Sequence, residues 1–405
     1  MAARPRFGAN YVPSSQWFYS WLDFSADAAR RDLDDLASIG LDHVRVFPIW
    51  PWIQPNRGHI RRAPIDDLLT LIDIAGERGL SVAVDLLQGH MSSHDFLPAW
   101  VLTHHHRSVF TDPAVREGIA RYMDVVARAV SERDNVFAIT LGNEVNNLWP
   151  YFDTTSAASR EWASELLDVV AAAAPNVKHL YSVFDASWYH PQHPFDPADS
   201  VDLGDLTTVH SWVFNGVSDI DGPLGPATVS HADYLVELAA ATSTDPNRGV
   251  WLQEIGVPQP FVPAADAAEF VDRTMSYVDS NPALWAVTWW CSHDLDRGLL
   301  DFPDHEYDLG LFTVDHEAKP AARALEKYIA SRRPGAPARR VALECPIDPH
   351  SHPERRADIA PGSAFHAEWV RRRADGPIAI ASPTCGIDES YLAARGITEV
   401  TRGEY

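Results

Sequence analysis

Cysteine is scarce in this chain. Only Cys291, Cys345 and Cys385 occur, with no CxxC pair among them, which supports neither a disulfide framework nor a zinc site. Positive charge is also short: 33 Lys and Arg stand against 56 Asp and Glu, for a formal net charge of −23. Phosphate backbones and anionic membrane surfaces are bound by concentrated Lys and Arg, so neither a nucleic acid nor a membrane is expected as a partner. No run of about 18 apolar residues occurs, so no transmembrane helix is expected. The first arginines are not followed by the apolar stretch of about 7–15 residues found in a secretory signal. A cytoplasmic protein is expected. A GxGxxG turn after the first strand is missing too, which counts against a doubly wound nucleotide-binding sheet.

What the chain does have is alternation. With 405 residues, 46% of them hydrophobic, it can bury a large core. Eight short runs are predicted as strands, at 6–11, 42–47, 81–87, 136–141, 179–184, 206–210, 250–254 and 284–290. Many are continuously apolar, the pattern of parallel strands buried on both faces. Helical stretches fall between them: one capped by Ser25 and ending at Gly40, and one with Pro64 in its first turn. Others cover 113–133, 157–174, 231–242, 264–280 and 320–331. Strand-first alternation repeated eight times predicts an α/β fold, a (β/α)8 TIM barrel. Residues 332–337 read as a linker. The expected division is therefore a barrel domain over 1–333 and a small appended C-terminal α/β subdomain over 334–405, holding apolar runs at 341–343 and 377–381 and a helix at 389–395.

In such a barrel the chemically active groups sit at the C-terminal ends of the strands. There the sequence places Arg45 on strand two, His90 after strand three and Asn143-Glu144 on strand four. It places His210-Ser-Trp212 on strand six, Glu254 on strand seven and Trp289-Trp290 on strand eight. Two glutamates on strand ends three apart face each other across the barrel mouth. Hydrolysis of a glycosidic bond by double displacement needs that arrangement: one carboxyl protonates the leaving oxygen, and the other attacks the anomeric carbon from about 5–5.5 Å away. Taken with Val-Arg45-Val-Phe, Glu254-Ile-Gly and the segment 310–320, the combination resembles the clan A glycoside hydrolases, and family 5 within them, over roughly residues 7–331.

The resemblance implies a retaining β-glycosidase with Glu144 as acid/base and Glu254 as nucleophile. It implies that Asn143 hydrogen-bonds the sugar 2-hydroxyl and that Arg45 holds Glu254 ionised. The charge on Glu254 would raise the pKa of Glu144 until glycosylation removes it. One departure stands out: the family often has His-x-Tyr where this chain has His210-Ser-Trp212. The nucleophile then lacks the tyrosine hydroxyl, or another group such as Tyr11 supplies it. Trp289 or Trp290 is expected to floor the subsite of the cleaved sugar, and Trp50 and Trp52 are candidates to stack on it. His90, His210 and Asp294 are further candidate sugar ligands.

His104-His105-His106 invites a metal reading, but consecutive histidines rarely converge on one ion, so no metal and no cofactor is expected. The segments 89–98 and 289–294 look similar to mannan-directed and N-glycan-core β-mannosidase members of family 5. The expected partner is a small oligosaccharide, with exo-acting release of mannose from Man-β-1,4-GlcNAc as the specific reading. Endo-β-1,4-mannanase or β-glucosidase activity is the alternative within the enzyme class, and a non-catalytic carbohydrate-binding barrel the alternative outside it. The oligomeric state, a homo-oligomer included, is left open.

Overall fold

The computed structural model describes residues 4–332, 340–383 and 388–403. Cys385 and most of the expected linker lie outside them. Eight parallel strands follow one another in order around one sheet: β1 (Arg6–Asn10), β2 (His43–Val46), β3 (Ser81–Gln88), β4 (Val136–Asn143), β5 (Lys178–Leu180), β6 (Thr207–Ser211), β7 (Val250–Ile255) and β8 (Leu284–Trp289). β1 pairs with β8, and a bridge between Tyr181 and Thr207 joins β5 to β6, so the sheet closes on itself. This is the (β/α)8 barrel that the alternation predicted.

The helices begin where capping chemistry allows. Ser25 accepts the Ala28 N–H at the head of Ala26–Ser38, and Asp112 accepts those of Ala114 and Val115 at the head of Pro113–Val130. These caps satisfy donors that the helix itself cannot. Ala63–Glu77, Ser156–Ala173, Pro226–Thr242, Ala267–Val278 and Pro320–Ser331 complete the outer layer. Between β5 and β6 the described residues hold two short helices, Ala186–Tyr189 and Pro197–Asp202, in place of a long one. No helix among the described residues is long and apolar enough to cross a membrane.

The barrel interior is graded. Its lower layer is apolar, built from Ala83, Ala138, Leu180, Leu206, Trp251 and Ala286. Above it the lining turns polar, and the polar atoms pair: Trp251 Nε1 and His43 Nε2 reach Thr288 Oγ1 at 2.7 and 2.8 Å, and Gln253 donates to Thr140 Oγ1. Register then lines up the upper rim, with Asn10 beside Arg45, Gln88 beside Asn143 and His210 beside Glu254. The β6–β7 register shifts between Val209 and His210, an irregularity of the kind that re-aims side chains at a barrel rim.

The C-terminal part forms a parallel three-stranded sheet, β9 (Arg340–Glu344), β10 (Ile378–Ala381) and β11 (Ile397–Thr401), in the order β10-β9-β11. Helices Ala364–Asp375 and Glu389–Ala394 accompany it. It packs on the Pro226–Thr242 helix, which is buried on every side from Ala227 to Thr242. Leu343, Trp369 and Ile380 join the same hydrophobic cluster as the barrel.

Candidate active site

β4 ends in Gly142-Asn143-Glu144. A Cβ at position 142 would lie 2.6 Å from the Leu87 carbonyl oxygen, so the close approach of β4 to β3 needs glycine. Glu144 then takes the left-handed conformation, φ 43° and ψ 45°, before a turn over Val145–Leu148. For a side chain other than glycine this costs about 1–3 kcal/mol. The sharp change of direction leaves the Glu144 carboxyl at the barrel mouth, in a cavity of about 430 Å³. On β7, Glu254 is followed by Ile255-Gly256. A Cβ at Gly256 would meet the Trp290 carbonyl oxygen at 2.6 Å and the Trp212 ring at 3.1 Å. The bare glycine lets the Trp212 indole lie against β7 and donate its N–H to Glu254 Oε2 at 3.1 Å. Trp212 thus occupies the place expected of a tyrosine hydroxyl. Tyr11 does not serve there, because its hydroxyl donates to Asp32 Oδ2.

The two carboxylates share a neighbour. His210 Nδ1 lies 2.7 Å from Glu144 Oε1 and 3.3 Å from Glu254 Oε2, and the nearest atoms of all three groups are within 4.8 Å of one another. That is closer than the roughly 6.5–9.5 Å at which an inverting pair leaves room for water, and suits a retaining pair. His210 Nε2 faces Gln253 Oε1 at 3.3 Å, an acceptor only, so Nε2 carries a proton and Nδ1 is left to share one with Glu144. Beneath them the buried Arg45 Nη1 donates to Glu254 Oε1 at 3.0 Å and to Asn10 Oδ1. Its Nη2 donates to Asp85 Oδ2 and Asn143 Oδ1, both at 2.6 Å. Asn147 Nδ2 donates to Glu144 Oε2.

The electrostatics separate the carboxyls. Burial raises the pKa of Glu144 and the charge of Glu254 raises it further, against the pull of His210 and His90. Burial alone would raise Glu254 as well. There the charges of His210 and Arg45 and the hydrogen bonds from His210 and Trp212 win, and the carboxyl is held below its ordinary value. Pushing two titratable groups apart in this way creates an acid and a nucleophile from the same residue type. Burial works against charge on His210, but the two carboxylates push its imidazole up to about 10. Burial lifts Asp85 to about 6 despite its ion pair with Arg45.

Of the residues expected from sequence, Glu144, Glu254, Asn143, His90, Trp212 and Trp290 line the cavity, while Arg45 and His210 support it from below. Four others stand elsewhere. Trp50 is 2% exposed, bonds Gln54 through its indole N–H and packs on Trp100 and Tyr122. Trp52 packs on Tyr19 and Phe96 away from the cavity. Trp289 is buried in the core, because neighbouring strand residues point to opposite faces and Trp290 takes the inward one. Asp294 pairs with Lys319 at 2.6 Å and accepts the Gly310 N–H, so it ties down its loop. Asn147, Phe184, Phe214, Asn215, His305 and Glu306 also line the cavity, and sequence reasoning did not single them out. His305 and Glu306 belong to the acidic loop 301–308, which the sequence offers at the barrel mouth either as a binder of sugar hydroxyls or as a solvated face, with nothing to distinguish one inward carboxyl from its neighbours. Burial, with the charges of Glu254 and Glu144 behind it, pushes Glu306 up to about 7.

Two groups of described residues converge closely enough to hold an ion: Glu144 with His210 and Glu254, and Asp32 with His293 and His316. The first is already balanced by Arg45. In the second, Asp32 accepts from Tyr11 and Ser14, and both imidazoles reach Asp35 Oδ2, at 3.2 and 2.6 Å. Protein hydrogen bonds account for both.

No protein-family model and no curated protein matches the chain, but solved structures do. It is similar to GH5_18 from Streptomyces cattleya in complex with GlcNAc, with 47% identity, 99% of both chains covered and a TM-score of 0.96. A Glu-to-Ala variant of GH5_18 from the same organism, in complex with Manβ1-4GlcNAc, matches at 47% identity, 98% of both chains and a TM-score of 0.95. GH5_18 from Bifidobacterium longum subsp. infantis matches at 36% identity over 99% of this chain and 97% of that one, with a TM-score of 0.95. With a closely spaced carboxylate pair at the barrel mouth and this similarity along its whole length, the chain belongs to the GH5_18 group of glycoside hydrolase family 5.

Proposed function

We propose that this glycoside hydrolase is a retaining, exo-acting β-mannosidase that releases mannose from Manβ1-4GlcNAc or short β-mannosides. The observation that carries the reading is the oppositely shifted, closely spaced pair Glu144 and Glu254. Two GH5_18 structures solved with Manβ1-4GlcNAc support the choice of sugar. Glu254 attacks the anomeric carbon while Glu144 gives its proton to the leaving oxygen, forming a covalent glycosyl-enzyme. The charge on Glu254 is thereby lost, the pKa of Glu144 falls, and Glu144 takes a proton from the water that hydrolyses the intermediate. Two inversions retain the configuration. Asn143 Nδ2 spends one hydrogen on the His90 carbonyl, and the other is free for the sugar 2-hydroxyl. Trp290 forms the floor.

The described cysteines, Cys291 and Cys345, are free thiols, which supports a reducing, cytoplasmic setting and hence small imported sugars over polymers. We take 1–333 as the catalytic domain and 334–405 as a subdomain that braces it.

Product release from Manβ1-4GlcNAc, β-1,4-mannohexaose and cellobiose tests the reading, with Glu254→Ala as control. Fast mannose release from the disaccharide is expected, and Glu254→Ala should lower turnover about 10⁴-fold or more. Internal cuts in mannohexaose would make the enzyme an endo-mannanase, and glucose from cellobiose a β-glucosidase. Glu144→Ala should cripple the disaccharide far more than an aryl mannoside whose leaving group needs little protonation. Equal losses on both would overturn the assignment of the acid.

A further inference from the structure

At the opposite end of the barrel from the active site lies a second cavity, of about 650 Å³. Its walls come from the start of β1, the chain entering β7, the start of β8 and the C-terminal sheet. Five arginines line it, Arg4, Arg6, Arg248, Arg340 and Arg395, and no aspartate or glutamate among the described residues does. In a chain of net charge −23 such a concentration calls for an explanation.

Counter-charges do not supply it. Arg6 is matched by Asp42. Arg340 and Arg395 share a single carboxylate, Glu237, which also accepts from Asn281 and the Ile380 N–H. Arg248 meets no carboxylate within ion-pair distance among the described residues. Its three nitrogens go to neutral acceptors, Thr207 Oγ1 and the Gly204 and Leu203 carbonyls, and Asp202, Asp205 and Asp245 act on it only at longer range. Arg4 meets no carboxylate among the described residues. Arg340 is 4% exposed, yet its Nε has no hydrogen-bond partner among them. The stretches of chain next to Arg4 and Arg340, residues 1–3 and 333–339, contain no Asp or Glu and two more arginines.

We propose that this cavity binds a small phosphate-bearing molecule, held by the arginine forks and bridging the barrel to the C-terminal sheet. Planar guanidinium groups match phosphate oxygens in pairs, and the volume falls within the range of small-molecule sites. Because Arg4, Arg6 and Arg248 come from the barrel and Arg340 and Arg395 from the C-terminal part, occupancy would stabilise the folded chain by mass action.

Thermal unfolding and calorimetric titration of the full chain test this, using inorganic phosphate, pyrophosphate and a hexose 6-phosphate against sodium chloride of equal ionic strength. A saturable rise in Tm with the phosphate compounds and not with chloride is expected. Tighter binding of the hexose phosphate than of free phosphate would identify a sugar phosphate as the ligand, and the reverse order inorganic phosphate. Arg4→Glu, at an exposed position, should weaken binding by about fivefold or more while leaving glycoside hydrolysis unchanged. Arg248→Gln should weaken it further. A Tm response equal to that of chloride, or one that survives in both variants, would overturn the proposal.

Discussion

Glu254 is held ionised first by His210 and Arg45, and then by the indole hydrogen bond that Trp212 gives its Oε2 at 3.1 Å. A hydrogen bond to a charged group is worth about 1.5–3 kcal/mol. Trp212→Phe, which keeps the ring and removes the donor, should therefore lower kcat/KM roughly 10–100-fold. It should also move the acid limb of the pH profile upward, since the charged form of Glu254 loses a partner. An unchanged profile would show that the indole only fills space. The proposed mechanism needs Glu254 ionised and Glu144 protonated, and the first is held low and the second high. In wild type kcat/KM should thus fall on the acid side as Glu254 gains a proton and on the alkaline side as Glu144 loses one.

Single elements carry costs that the site imposes. β5 ends early, at Leu180, and the chain beyond it turns Ser182 toward His210 and Phe184 into the cavity. The next residue, Asp185, is buried 3.9 Å from His231, which burial drives down to about 3 and so leaves neutral. Asp185 is lifted to about 8, chiefly by burial and then by the charge of Glu144, which together outweigh the opposing pull of His210. The folded form therefore binds this proton more tightly than the unfolded chain, whose carboxyl titrates near 3.8. The cost to stability grows as pH rises from about 4 to about 8 and is absent below. Asp185→Asn removes the titration, so its Tm relative to wild type should climb by a few degrees between pH 4 and pH 8. A difference that stays flat across that range would mean that Asp185 is ionised in the fold. The crossover helices here were not legible, because each is too short for a 3.6-residue period to register. Helices such as Ala26–Ser38 and Pro320–Ser331 were legible from a cap or a leading proline.

At the scale of the molecule, the Pro226–Thr242 helix joins the two parts. Its outer face carries Asp233 and Glu237, residue types that are mostly exposed in folded proteins. Instead Glu237 is fully buried between Arg340 and Arg395, and Asp233 meets Arg373. Burial would raise the pKa of Glu237, but the two arginines outweigh it and hold it below its ordinary 4.5. Its contribution to stability is thus present above that pH and is lost as pH falls through the lower folded value. Glu237→Ala leaves two buried cations unpaired and should cost about 3–5 kcal/mol, measured by denaturant unfolding at pH 7. Because the barrel and the C-terminal sheet share one hydrophobic cluster, the loss should appear as one shifted transition. A separate early transition of the C-terminal part would contradict that.

By itself the sequence determined the barrel and brought Glu144 and Glu254 forward as a candidate pair. Continuous apolar runs, caps and leading prolines are local signals, and the rule that strand ends carry the chemistry turned eight strands into a short list containing Glu144, Glu254, Arg45 and His210. Only the tertiary structure decided which of Trp289 and Trp290 lines the cavity, since one residue of register exchanges the faces of a strand. It also decided that Trp50, Trp52 and Asp294 stand away from the cavity, that Trp212 replaces a tyrosine, and that Asp85 anchors Arg45. These are contacts between residues up to more than 200 positions apart, as from Arg45 to Glu254. Their energies come from burial and from partners that local sequence does not encode.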